Sequence, residues 1–268
     1  MNNLSIAGSR KLRGGTFASL ALVLAAWLAF PAKAAEIRVY SGGAPQVALK
    51  VLAPEFERAT GHKLAFTYAV VGAIQKRLEQ GEKADVILLP APLMNALEKG
   101  GVIRPDTRTI LPRVGIGVIV REGARQPDIS SADGVRKALL DARSVVHSDP
   151  KSTPGGKHLA GMMGKLGIAE AVGPKTVFKN AIDGGAALVA SGEVELGMFL
   201  VSEVQSMKGI TLVGLLPGQL QNYVAYVGAV AAGSSSEEPA QAFLKFLIDP
   251  ANQALWKAAG FEPPGGPK

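Results

Sequence analysis

A chain of 268 residues, 47% of them hydrophobic and none of them cysteine, is long enough to bury a substantial core in one large domain or two smaller ones. It has no disulfide to form and no thiol chemistry to perform. The net charge of +7 does not mark a nucleic-acid binder, because the lysines and arginines form no clustered stripe.

Part of that charge lies in the first predicted element. Arg10, Lys11 and Arg13 give a positive start, "TFASLALVLAAWLAF" is apolar, and Ala32-Lys33-Ala34 fits an A-x-A cleavage site. The apolar run is short for a spanning helix, which needs about 20 residues. Residues 1–34 therefore read as an export signal cleaved after Ala34, with periplasm as the expected location. Without a cysteine to carry a lipid anchor, the mature chain is expected to diffuse freely as a monomer.

Beyond the signal, strand-like and helix-like segments alternate. "EIRVY" reads as a strand, followed by a helix over 45–60 closed by Gly61; Pro54, inside it, should kink or shorten it. "KLAFTYAV" is a second strand, and a helix over 73–80 places Ile74 and Leu78 on one face. "ADVILLP" is apolar throughout, as in a buried parallel strand. A helix over 93–99 precedes the long strand "RVGIGVIVREG". A second series follows: a capped helix "SADGVRKALLDA", strand "SVVHSD", and a helix over 155–166 with Leu159, Met162, Met163 and Leu166 on its apolar face. Next come a helix over 184–191 with Asp183 as N-cap, strand "VELGMFL", short helix "SEVQSMKG" and strand "ITLVGLL". After the long strand "NYVAYVGAVAA" come two helices capped by Ser236 and Asp249.

This alternation predicts an α/β protein whose mainly parallel sheets are flanked by helices. Two long strands, 113–121 and 223–232, bracket the middle block. The economical topology is two lobes, 35–115 with 228–268 and 116–227, with the crossing strands as a hinge. Ligands in such sheets bind beyond the carboxyl ends of strands, and a cleft between lobes is a common place for a pocket.

Four strand-to-helix loops could meet there. "YSGGAP" carries Ser41, Gly42, Gly43 and Ala44; "YAVVGAI" places Gly72 at a helix start; "HSDPKSTPGGKH" offers Thr153, Pro154, Gly155 and Gly156; "FLVSEV" presents Ser202 and Glu203. Bare backbone N–H groups at helix starts favour anions, and the glycines would let the turns reach positive φ. A small anion is the expected ligand. No cofactor is expected, and no metal. The three histidines, His62, His147 and His158, have no H-E-x-x-H spacing, and there is neither a G-x-S-x-G elbow nor a complete P-loop.

At these residues the chain resembles the periplasmic molybdate-binding family, within the type II solute-binding proteins of ABC transporters. The resemblance rests on "IRVYSGGA…FERATG", "AIQKRLEQGEKADVIL", "SDPKSTPGG", "ELGMFLVSEV" and the final "GF". It implies a two-lobed binding protein that hands its ligand to an inner-membrane permease. Three positions depart from the family pattern. Gly43-Ala44-Pro45 stands for Ala-Ser-Leu, Val70-Val71-Gly72 for a Ser-Ser run, and Leu200 for a tyrosine. These changes remove hydroxyls and make the walls more apolar, which suits an organic anion. A branch that includes aconitate isomerase shares the Ser41-Gly42-Gly43 and Ser202-Glu203 loops. That likeness implies the rival role of moving a proton along an allylic tricarboxylate, with Glu203 or His158 as base.

Overall fold

Strand β1 (Glu36–Ser41) sends alternate side chains to opposite faces of its sheet. Ile37 and Val39 join Leu49, Leu52, Phe56, Phe243 and Trp256 on one side, while Tyr40 joins Ile74, Leu78, Met94 and Leu97 on the other. The same division runs through the all-apolar strand 86–90, where Val86 and Leu88 take one face and Ile87 and Leu89 the other. Both faces of the sheet are thus covered by helices. This computed structural model describes residues 34–265; the export signal expected over 1–34 lies outside them apart from Ala34.

In chain order, β1 leads to α1 (Gln46–Thr60), β2 (Lys63–Tyr68), α2 (Val71–Glu79), β3 (Val86–Pro90), α3 (Ala91–Lys99), β4 (Thr109–Val114) and β5 (Ile116–Arg121). Then follow α4 (Ala132–Asp141), β6 (Val145–His147), α5 (Pro154–Lys165), α6 (Ala169–Val172), β7 (Thr176–Phe178), α7 (Gly185–Ser191), β8 (Leu196–Leu200), α8 (Val201–Val204) and β9 (Ile210–Leu215). The chain closes with β10 (Val224–Val230), α9 (Glu237–Leu247), α10 (Gln253–Ala258) and β11 (Phe261–Glu262).

Two sheets result, in the orders β11-β4-β10-β3-β1-β2 and β7-β6-β8-β5-β9. Parallel pairs join β1 with β2 and β3, and β6 with β7 and β8. The crossing strands add antiparallel pairs, so both sheets are mixed. The second sheet buries Ile116, Val118, Met198, Leu139 and Leu159 on one face, and Ile119, Val146, Val189 and Phe199 on the other.

The long strand expected over 113–121 is two strands. Val114 pairs with Val224 in the first sheet and Ile116 with Leu200 in the second, so the chain changes sheets at Gly115. Gln221 ties the two crossings together: its Oε1 accepts from the Ile116 amide, and its Nε2 donates to the Ile116 and Leu216 carbonyls. β10 lies wholly in the first sheet, so the return crossing precedes it; a division at 227/228 would cut through the strand.

Smaller expectations also change. α1 runs unbroken past Pro54, which sits on its exposed face. Asp183 does not cap α7; Gly184, at φ 95°, holds that position, while the Asp183 carboxylate accepts from Asn180 Nδ2. Ser236 makes no side-chain cap, whereas Asp249 accepts from the Ala251 amide. β7 and α6 have no counterpart in the sequence reading.

Candidate functional site

The four loops come together in two pairs, each joining one sheet to the other. A Cβ placed on Gly43, between β1 and α1, would lie 2.5 Å from Ile182 Cγ2 and 3.2 Å from Glu203 Oε1. One placed on Gly72, in the first turn of α2, would lie 2.9 Å from the Ser152 carbonyl oxygen. Neither glycine has positive φ. Glycine is required at both by close approach of the opposite wall, not by a left-handed turn.

Between these contacts lies a cleft lined by Gly43, Ala69, Val70 and Val71 from the first two loops, and by Ser148, Thr153, Pro154 and Gly155 from the third. Leu200 and Glu203 line it from the fourth loop, Asn180 and Ile182 from the segment after β7, and Tyr226 from β10. The free space is about 40 Å³, room for a few waters at about 10–15 Å³ each. Among the described residues, no lysine, arginine or histidine lines it.

Thr153 shows how the sequence builds one wall. Its Oγ1 accepts from the Gly156 amide at 3.0 Å and caps α5, with Pro154 at the first helical position. The Asp149 carbonyl accepts from the Ser152 and Thr153 amides and folds the loop back before the helix. The first-turn amides of α2 and α5 have no partner within their own helices, and both helix starts border the cleft. α8, only four residues long, offers its Glu203 side chain more than any helix field.

The remaining anticipated residues sit behind the wall. Ser41 is fully buried and donates its hydroxyl to the Gly42 carbonyl. Gly42 packs on Val71 and on the Tyr226 hydroxyl. Ala44 is buried in the core under β1, and Gly156 is pressed against the Ser148 and Asp149 carbonyls. Ser202 is fully buried, and its hydroxyl has no hydrogen-bond partner. His158 lies outside the lining; its Nε2 sits 2.8 Å from the Leu220 carbonyl.

Two lining residues had no signal in sequence, Asn180 and Ile182; Ser148 opens the third anticipated loop. Asn180 donates to Asp183, but its buried Oδ1 has no partner. Tyr226 is 2% exposed and makes no hydrogen bond to a described residue. Burial, then the neighbouring Glu203 charge, pushes its hydroxyl pKa well up. The Glu203 carboxyl also lacks a hydrogen-bond partner among the described residues. Loss of water, reinforced by the Asp183 carboxylate, pushes its pKa up to about 7. A carboxyl poised there can donate or accept a proton near neutral pH.

Among the described residues no group of histidines and carboxylates could hold a metal, and no helix is long and apolar enough to cross a membrane.

Residues 37–262 match the family model described as bacterial extracellular solute-binding protein. The chain is 33% identical over 233 residues to an aconitate isomerase from Pseudomonas sp, covering 85% of this chain and 87% of that protein. It is 24% identical over 229 residues to the molybdate-binding protein ModA of Escherichia coli K12, covering 84% and 88%. The fold superposes on the periplasmic molybdate-binding protein of Azotobacter vinelandii with a TM-score of 0.69 at 20% identity, covering 85% of this chain and 99% of that one.

Proposed function

The chain belongs to the bacterial extracellular solute-binding protein family, and from that premise we propose that it is exported to the periplasm, captures a small anion between its two sheets and delivers it to an inner-membrane ABC permease. The ligand is an oxyanion or an organic carboxylate. In this reading the lobes are the two sheets with their helices, and they close by bending at the crossings beside Gly115 and Gln221.

The observation that carries the reading is the pairing of loops across the cleft, Gly43 against Ile182 and Glu203, and Gly72 against Ser152. Helix starts from both sheets border the same hollow. A hydrogen bond to a charged group contributes about 1.5–3 kcal/mol, and micromolar affinity requires about 8 kcal/mol. A handful of such bonds suffices. The apolar lining by Val70, Val71, Ile182 and Leu200 favours a ligand with a carbon skeleton over a bare oxyanion.

A thermal-shift screen against molybdate, sulfate, succinate and trans-aconitate, with neutral sugars alongside, tests this. Bound ligand raises stability by RT ln(1 + [L]/Kd). Anions should raise the melting temperature and sugars should not; a response to sugars alone would overturn the reading.

Glu203 supports a second reading, that the cleft isomerises an aconitate-type tricarboxylate, as the name of the 33% identical relative suggests. Glu203 would take the proton from the saturated carbon. The double bond would move one position, and the protonated Glu203, after exchange with solvent, would deliver a proton to the far end of the allyl unit, leaving atoms and charge balanced. Appearance of cis-aconitate, with solvent deuterium entering the carbon frame, would establish the enzyme. Stoichiometric binding of trans-aconitate without product would favour transport.

A further inference from the structure

We infer that the cleft grips an anionic oxygen of its ligand with two O–H donors, the neutral carboxyl of Glu203 and the hydroxyl of Tyr226, and that each anion bound draws one proton from solvent. The inference rests on the anion-binding reading and adds how the charge is met.

The geometry comes first. Gly42 and Gly43 are consecutive, and each has one of these oxygens beside it. The Tyr226 hydroxyl is 3.1 Å from the position of a Cβ on Gly42, and Glu203 Oε1 is 3.2 Å from that on Gly43. Both residues line the cleft, from different sheets. Neither oxygen has a hydrogen-bond partner among the described residues, although Tyr226 is almost fully buried. The Tyr226 hydroxyl is not one of the fully buried atoms that lack a partner, so it keeps access to the cleft, where a ligand or water can complete it.

The charge balance comes second. Among the described residues, no cationic side chain lines the cleft to offset an anion. An ionised Glu203 would repel one, and Asp183, on the turn before α7, adds to that repulsion. Tyr226 from β10 is the other titratable group coupled to Glu203, and it stays a neutral donor. Lys50, on α1, points to solvent. An anion beside Glu203 is therefore accommodated when the carboxylate takes up a proton, which turns a repelling acceptor into a donor. Free Glu203 is half ionised at about pH 7. Affinity should then be level below that pH and fall about tenfold per pH unit above it.

Molybdate, sulfate, succinate and trans-aconitate are suitable probes, since all are fully ionised above about pH 7. Calorimetric titration at about pH 8, in buffers of different ionisation enthalpy, counts the protons taken up with each probe that binds. The expected result is close to one proton per anion. Glu203→Gln should abolish the uptake and flatten the pH profile. Asp183→Asn, which leaves the carboxyl in place, should move the break in the profile to lower pH. Tyr226→Phe should weaken binding about tenfold or more without lowering the melting temperature of the free protein. In that free protein, the labelled Glu203 carboxyl carbon should titrate near neutrality by nuclear magnetic resonance.

Binding without proton uptake, or uptake that persists in Glu203→Gln, overturns the inference and leaves anion capture standing. A Glu203 resonance that titrates in the ordinary carboxylate range, about 4, also overturns it. If none of the four anions binds at any pH, anion capture fails and the inference falls with it.

Discussion

Asp85 is 1% exposed and forms a junction in the first sheet. Its carboxylate accepts from the Arg38 amide, from Arg38 Nε and Nη2, and from the Ser234 hydroxyl. Burial alone would raise its pKa, but these bonds outweigh it and the net shift is downward. A folded-state pKa below the unfolded value stabilises the fold above about pH 3.9 and loses that contribution as pH falls through the folded pKa. Stability should therefore drop in acid below about pH 4, and Asp85→Asn should flatten that part of the profile, as urea melts at stepped pH would record. Removing one partner of a buried pair costs about 3–5 kcal/mol. Arg38 is about a third exposed, so about 2–3 kcal/mol is expected for Asp85→Ala, read from the shift in urea midpoint.

At the scale of elements, α5 carries a separable contribution. Thr153→Ala removes the cap bond to the Gly156 amide and should cost about 1 kcal/mol of stability, visible as a melting shift of a few degrees. Elements of this kind were readable in advance. The run "VILLP" announces a strand buried on both faces, and Ile74 with Leu78 announces the inner face of α2. β7 was not readable, because three half-exposed residues give no period to detect. The division at Gly115 was hidden for a different reason: 113–121 is continuously strand-like, and only pairing with β10 and β8 assigns its halves to separate sheets. In the cleft, loops beginning at helix starts could be anticipated. Asn180 could not, because the segment after β7 that carries it gives no local pattern to detect.

The whole molecule depends on how closely its halves approach. Gly72 meets a backbone oxygen, which cannot swing aside as a side-chain end can. Gly72→Ala should therefore hold the walls apart. Anion affinity measured by calorimetry should fall about tenfold or more, while the ligand-free melting temperature changes little, because Gly72 touches the opposite wall rather than either core. Gln205 Nε2, which donates to the Ala258 carbonyl at 2.8 Å, makes a further link between the segment after α8 and the C-terminal helices.

The strand order also bears on how the chain is made. β3 pairs with β1 on one side and with β10 on the other, and β10 brings β4 and β11 to the sheet. During synthesis β3 must wait with a bare apolar edge until more than a hundred later residues have emerged. Closing so long a loop is slow, and an unpaired edge invites aggregation meanwhile. Under the proposed export that delay would be an advantage: a nascent polypeptide that cannot finish its first half early stays threadable until it has been translocated.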